Sequence, residues 1–236
     1  MDFQHSPEVW ARHPELVVGV VAASGITPDA PVGTAVAEFQ AAALDRLAGR
    51  TESELPEIQA WRRAFAAMGL KPTQYRCASE SLLRRLRKEG SLPSLHPLVD
   101  LCNAVSVAFA IPVAALDVSR ISGDLTVRPA TGDESYETFG GEMEHPAPGE
   151  IIFADSAGRS HARRWTNRQS GHSAVRPTTA DVLIVVEALH EDAASDVPKA
   201  TATIADDLAV LWPGSRHTTG LLTAASPRFR WEVPAP

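Results

Sequence analysis

The sequence predicts an α+β fold: a mixed or antiparallel sheet with helices packed on it. Three observations lead there. Helical periodicity is concentrated between residues 29 and 109, β-branched and alternating text dominates from 113 to 189, and one further helix stands near the end. At 236 residues, with 44% hydrophobic and 22% charged residues, the chain can bury a sizeable core. It has no internal repeat and no low-complexity linker, so one domain over residues 1–236 is expected.

Each element has a local cause. Residues 15–23 (ELVVGVVAA) form a short β-branched run that reads as a buried strand. Residues 29–49 are alanine-rich and read as a helix closed by Gly49. From Glu54, Leu55, Ile58, Trp61, Phe65 and Met68 recur at helical spacing until Gly69, an amphipathic core stripe. Pro72 marks a loop over 70–78. Ser79 then reads as an N-cap and Glu80 as the first-turn acid of a basic helix ending at Gly90. Pro97 opens an apolar helix that stops before Pro112. Beyond it the period changes. Residues 113–121 and 124–128 read as strands joined by a turn at Ser122-Gly123-Asp124, and 129–149 as loops and short edges. Residues 150–155 and 181–189 read as strands and 200–211 as a helix. A last strand is expected after Ser215, fraying at the terminal Pro-Ala-Pro.

Several classes are excluded early. The longest apolar text, 104–116, is interrupted by Ser106 and Pro112 and falls short of the ~20 residues of a membrane span. The opening MDFQHSPEVW has neither the basic head nor the apolar run of a signal peptide, and the two cysteines, Cys77 and Cys102, read as reduced thiols. A cytoplasmic protein without membrane contact is expected. There is no glycine-rich phosphate loop, no zinc-protease helix and no clustered His spacing, so neither cofactor nor metal is expected. Gly171-His172-Ser173-Ala174-Val175 lacks the second glycine of a nucleophile elbow.

The net charge of −7 hides a segregation. Residues 62–90 hold eight Lys/Arg against two Glu, and residues 158–176 hold five Arg and no acid. Two such segments on an acidic body can steer an anionic ligand to one face, or stand on opposite faces as solvated surface. Arg84, Arg85, Arg87 and Lys88 share the basic helix and suit phosphates. Arg163, Arg164, Trp165 and Arg168 mix cations with an indole, which suits the phosphates and unstacked bases of an RNA end; an exposed hairpin fits equally. Asp100 and Asn103, at i and i+3, either line one cavity or form a polar stripe. Glu187 stands in an apolar strand. If it faces the core it must have a partner, and if it faces outward it needs none.

The order of these pieces is distinctive: Ser79-Glu80-Ser81-Leu82-Leu83-Arg84-Arg85, then Pro97-Leu98-Val99-Asp100 with Asn103, Leu116-Asp117, Gly123-Asp124-Leu125-Thr126-Val127-Arg128, Gly149-Glu150, and a last strand with its Glu. It resembles the editing module of the phenylalanyl-tRNA synthetase beta subunit, its third and fourth B domains, in free-standing form. The resemblance covers roughly residues 70–189. The 163–170 segment is unlike the synthetase subunit and like the free-standing members, and the C-terminal helix and tail lie outside the match. No machinery for aminoacylation is present.

The resemblance implies an α+β fold with a pocket between helices and sheet. It implies hydrolysis of mischarged tRNA, with the acceptor end and the amino-acid moiety as partners. By that likeness Glu187, in Val186-Glu187-Ala188, reads the phenolic hydroxyl of a misattached tyrosine, Gly171 lines the pocket, and Arg84 or Arg85 takes the family's basic position. Ester hydrolysis needs a positioned water and oxyanion donors, for which Asn103, Ser170 and the backbone at Gly171 are candidates. The alternative is a binding module of the same fold that holds RNA or an amino acid without hydrolysis; an enzyme acting on a small amino-acid ester is a third reading.

Overall fold

The structure is a computed structural model and describes residues 1–232, so the fraying expected at the terminal Pro-Ala-Pro lies outside the described residues. In chain order the elements are β1 (Asp2–His5), α1 (Pro7–Arg12), β2 (Val17–Ser24), α2 (Gly33–Arg46), α3 (Pro56–Ala67), α4 (Ala78–Glu89), α5 (Pro97–Phe109), β3 (Val113–Asp117) and β4 (Leu125–Pro129). They continue with β5 (Tyr136–Glu137), β6 (Met143–Glu144), β7 (Ile151–Asp155), β8 (Ser160–Arg163), β9 (Arg168–Gln169), β10 (Asp181–Ala188), α6 (Ala193–Leu211), β11 (Arg216–Leu222) and β12 (Arg228–Arg230).

Two sheets organise the chain. One is four-stranded in the order β11-β2-β10-β3 and antiparallel throughout. The other is six-stranded in the order β12-β1-β4-β7-β8-β9 and mixed, because β1 and β4 run parallel. The mixed or antiparallel α+β architecture read from the sequence is the one observed.

Alternation along β10 separates two cores. Val182, Ile184, Val186 and Ala188 pack with Leu98, Leu101 and Val105 of α5 and Val197, Ile204 and Leu208 of α6. Leu183 and Val185 face the other way, into a core with Phe3 and Phe153 of the six-stranded sheet, Trp165 of its β8–β9 turn, and Trp61 and Phe65 of α3. Each fully buried large apolar side chain contributes roughly 1.5–3 kcal/mol. Gly19 of β2 lets α6 approach: a Cβ there would lie 1.9 Å from Thr201 Oγ1.

Several boundaries differ from the sequence reading, each for a local reason. Ser79 is not the N-cap of α4; Cys77 occupies that position and makes no side-chain cap bond. The expected strand over 113–121 ends at Asp117, whose carboxylate accepts from the amide and hydroxyl of Ser119 and starts a 3-10 turn. β3 and β4 are consequently not a hairpin but members of different sheets. α6 begins seven residues before Ala200 and carries Pro198 within it; a proline in the second turn removes one backbone bond without ending the helix. β1 and α1 carry no strong periodic signal and were not anticipated.

Candidate functional site

Glu187 lies on the β10 face turned away from α5 and α6, since Val186 and Ala188 beside it pack in the helix core. It is 2% exposed. Its Oε1 accepts from Trp165 Nε1 at 2.8 Å and from His5 Nε2 at 2.7 Å. With His5 in the tautomer that carries its proton on Nε2, both groups donate to this one carboxylate oxygen. These are the partners that an inward carboxylate requires. No described residue donates to Oε2. Glu187 also lines an inner cavity of about 70 Å³, with Val113, Ala114, Trp165 and Gln169. That space holds a few waters at ~10–15 Å³ each but not an aromatic ring, for which ~150 Å³ is needed.

A strained turn aims the indole. Arg164 and Trp165 both have positive φ, 47° and 59°, a conformation that costs a non-glycine residue roughly 1–3 kcal/mol. Glu150 clamps the turn, accepting from Arg163 Nε at 2.9 Å, Arg163 Nη2 at 3.0 Å and the Arg164 amide at 3.0 Å. Burial pushes the Glu150 carboxyl up, but the hydrogen bonds and charge of Arg163 outweigh it and hold the group below its usual range. Trp165 then sits edge-on to Trp61 at 5.0 Å and to His13 at 4.9 Å. Thr166 O takes the amide of Ala78 at 2.8 Å, and Asn167 Nδ2 donates to Arg76 O at 2.7 Å, which ties the turn to the start of α4.

Two larger cavities share lining residues with this small one, called the inner cavity for its burial of Glu187. The first, about 320 Å³, lies between α5 and edge strand β3 and includes His96, Asn103, Phe139, Gln169 and Arg176. The second, about 560 Å³, is bounded by Tyr136, Phe139, Asn167, Arg168 and Gln169. Gln169 belongs to all three, and its Nε2 donates to Ala115 O at 2.8 Å, bridging β9 to β3. All three spaces border Gln169, and Glu187 lines the smallest of them; together they are called the cleft.

The residues singled out in the sequence divide around this cleft. Asn103 lines it, and its amide makes no hydrogen bond among the described residues. Arg168 lines the inner and the wider cavities, 3.3 Å from Glu144 and over the Tyr136 ring. Asp100 faces a neighbouring groove and accepts from Ser94 Oγ at 2.7 Å and the Leu95 amide at 2.8 Å. Arg164 stacks its guanidinium 4.7 Å from the Tyr75 ring.

Other candidates are engaged elsewhere, and four readings are corrected. Trp165 is fully buried and offers no face to a base. Arg163, 6% exposed, is committed to Glu150 and Glu144. Ser170 Oγ donates to Glu137 O at 2.8 Å, and the Gly171 amide donates to the same carbonyl at 3.0 Å, so neither is a free oxyanion donor. Gly171 does not line the cleft; it is glycine because a Cβ would meet Thr138 O at 2.7 Å.

The basic helix meets the cleft only at its first residue. Ala78 touches the inner cavity, but Arg84 is six residues on, about 9 Å along the axis at 1.5 Å per residue. Arg84 and Arg87 hold buried Glu52 at 3.4 and 2.8 Å. Burial pushes the Glu52 carboxyl up, and Arg87 and Arg84 bring it below its ordinary range. Arg85 pairs with Glu89 at 2.9 Å; Lys88 is exposed. Much of this positive charge is already answered by acids. Sequence reasoning missed His5, Phe139, Gln169 and Arg176. His5 stands outside every motif, while the exposed Phe139 and the amide of Gln169 look like ordinary loop residues until the sheets are assembled.

Among the described residues no helix is long and apolar enough to cross a membrane. Curated relatives are phenylalanine–tRNA ligase beta subunits. That of Shewanella oneidensis is 33% identical over 101 residues, covering 42% of this chain and 12% of the subunit. That of Methylococcus capsulatus is 35% identical over 101 residues, covering 42% and 12%. The matches thus span about an eighth of those subunits' length. Among solved structures, an N-terminal fragment of the phenylalanyl-tRNA synthetase beta-subunit from Pyrococcus horikoshii aligns with a TM-score of 0.50 at 11% identity, covering 91% of this chain and 49% of that one; this likeness is one of fold. The profile of the B3/4 domain matches residues 60–230, which takes in α6 and β11 beyond the stretch read from sequence motifs. With both sheets, the cleft and this match in hand, the chain belongs to the B3/4 domain family, the module found in phenylalanyl-tRNA synthetase beta subunits.

Proposed function

We propose that this chain is a trans-acting deacylase that hydrolyses mischarged aminoacyl-tRNA, with a tyrosine-type side chain read by Glu187. The observation that carries the reading is the split environment of Glu187: Oε1 is fixed by two buried donors, while Oε2 has none among the described residues and the residue lines a cavity. Such a group selects a ligand that donates a hydrogen bond at that depth and penalises one that leaves the oxygen unpaired. The family's occurrence in synthetase beta subunits supplies the tRNA context.

In this reading the acyl group enters through the 320 Å³ cavity, a volume ordinary for a ligand site. Gln169 swings aside, because the inner cavity as it stands does not admit a ring. Arg168 and Arg176, with Arg164 nearby, hold the acceptor-end phosphates, and exposed Phe139 at the rim takes an unstacked base. The Asn103 amide donates to the acyl carbonyl as negative charge develops on it. Water adds to the acyl carbon, the ester C–O bond breaks, and a proton passes to the departing ribose oxygen. Free amino acid and uncharged tRNA result.

A binding module without hydrolysis is the second reading. It is favoured by one observation: the Ser170 hydroxyl and Gly171 amide are both engaged with Glu137 O. A panel of mischarged aminoacyl-tRNAs, Tyr-tRNA(Phe) included, tests both readings. Selective release by the wild-type chain, lost or broadened in Glu187→Ala, supports the deacylase. Binding of the panel without release supports the module.

A further inference from the structure

Away from the cleft, where the strand carrying Glu187 ends, three side chains converge from distant parts of the sequence. Glu57 stands in the first turn of α3, His190 just beyond β10, and Asp196 in the first turn of α6. One donor atom from each lies within 4.8 Å of the others. We propose that these residues bind a divalent transition-metal ion of the zinc type.

Burial and unmet hydrogen bonding support the site. Glu57 and His190 are 6% and 5% exposed. Glu57 Oε2 is buried and has no partner among the described residues; His190 turns Nε2, not its unpartnered Nδ1, toward Asp196, so the unmet atom that points to an ion is Glu57 Oε2. Buried polar atoms without partners are rare in native proteins and call for an explanation, an unplaced ion among them. The remaining atoms are accounted for. Arg46 Nη2 donates to Glu57 Oε1 at 2.5 Å, Lys199 Nζ lies 3.3 Å from Asp196 Oδ1, and His190 Nε2 lies 3.1 Å from Asp196 Oδ2. Neither cation touches Glu57 Oε2 or Asp196 Oδ2. Two carboxylates balance Arg46 and Lys199, so a neutral imidazole leaves the pocket without net charge and a bound dication is not repelled by an excess.

Geometry and chemistry select the ion class. Ligands sharing an ion at ~2.0–2.1 Å lie about 3.3 Å apart in a tetrahedron. The 3.1 Å between His190 and Asp196 meets that spacing, and a ligand 4.8 Å away closes it by moving about 1.5 Å. An imidazole with two carboxylates and no thiolate suits zinc-type ions over soft Cu(I), and the nitrogen ligand disfavours magnesium and calcium. Three protein ligands leave a position open to solvent on the side of half-exposed Asp196. The sequence concealed the site because Glu57 and His190 are far apart in the chain and no motif links them.

The test uses the full chain stripped with chelator and then titrated with Zn²⁺ or Co²⁺, with Mg²⁺ as control. The expected result is one equivalent of Zn²⁺ per chain, a visible cobalt absorption band, a raised melting temperature, and no response to Mg²⁺. His190→Gln and, at the more exposed ligand, Asp196→Asn should each weaken binding by more than the ~10–100-fold that loss of an outer hydrogen-bond partner costs. Asp196→Asn keeps the test alive if the buried His190 variant fails to fold. Less than a tenth of an equivalent bound, or binding that both variants leave intact, overturns the proposal in favour of a hydrogen-bonded His–Asp pair or a different site.

Discussion

Replacing Glu187 separates what the carboxylate does for the fold from what it does for a ligand. Its Oε1 accepts two buried hydrogen bonds, from His5 Nε2 and Trp165 Nε1, at 2.7 and 2.8 Å. Glu187→Ala removes the shared acceptor and strands two buried donors, at about 1–3 kcal/mol each, so a loss of about 4 kcal/mol is expected. Glu187→Gln retains a carbonyl oxygen in the same place. It downgrades two charge-assisted bonds to neutral ones, about 1 kcal/mol apiece, for a loss of about 2 kcal/mol. Held this way, the glutamine presents an NH₂ group where Oε2 stood, turning an acceptor into a donor at the cavity. Urea denaturation followed by tryptophan fluorescence reads the two stabilities, with Trp165 itself reporting on the site. Equal losses for Ala and Gln, or a negligible loss for Ala, would refute the idea that Glu187 Oε1 is the shared acceptor of this buried pair.

Three further outcomes follow from the same geometry. Gly171→Ala places a methyl 2.7 Å from Thr138 O, so the β5–β6 hairpin must shift; a loss of roughly 1–3 kcal/mol is expected, with hydrogen exchange becoming faster first in that hairpin. Asp155 and Glu134 are both lowered to about 2, burial pushing each up while His161 and backbone amides, or Thr131 and Arg128, pull it down further. A depressed carboxyl contributes stability above its unfolded value and loses it as pH falls through the folded one, so denaturation midpoints should decline between about pH 4.5 and 2, and Asp155→Asn should flatten that decline. If RNA lies in the cleft, Arg176→Gln should reduce the slope of log affinity against log salt by about 0.7, whereas Arg84→Gln, already facing Glu52, should leave it unchanged in a filter-binding titration.

The fold was legible where periodicity and burial agree. β10 and α5 are apolar runs with clear stops, and Gly90 ends α4 in the left-handed conformation expected of a helix-terminating glycine. Legibility failed where side chains redirect the backbone. Asp117 caps a turn where β3 ends, and β3 and β4 join separate sheets, a break that alternation does not show. The site was half legible. Glu187 is conspicuous because an acid in an apolar strand needs a reason, yet its partner His5 is 182 positions away and meets it only when β1 joins the second sheet. Trp165 misled for the opposite reason. Its arginine-rich neighbours imply an exposed surface, but two consecutive residues of positive φ turn the indole inward. The charge runs overstated the positive field, since Arg84, Arg87 and Arg163 each answer a buried or half-buried acid.

The most direct measurement compares release of tyrosine from Tyr-tRNA(Phe) with release of phenylalanine from Phe-tRNA(Phe), by the wild-type chain and by Glu187→Gln. Glu187 as a hydroxyl reader predicts fast release of tyrosine, little release of phenylalanine, and loss of that preference in a variant that stays folded. Equal rates on both substrates, or a preference that Glu187→Gln leaves intact, would contradict it.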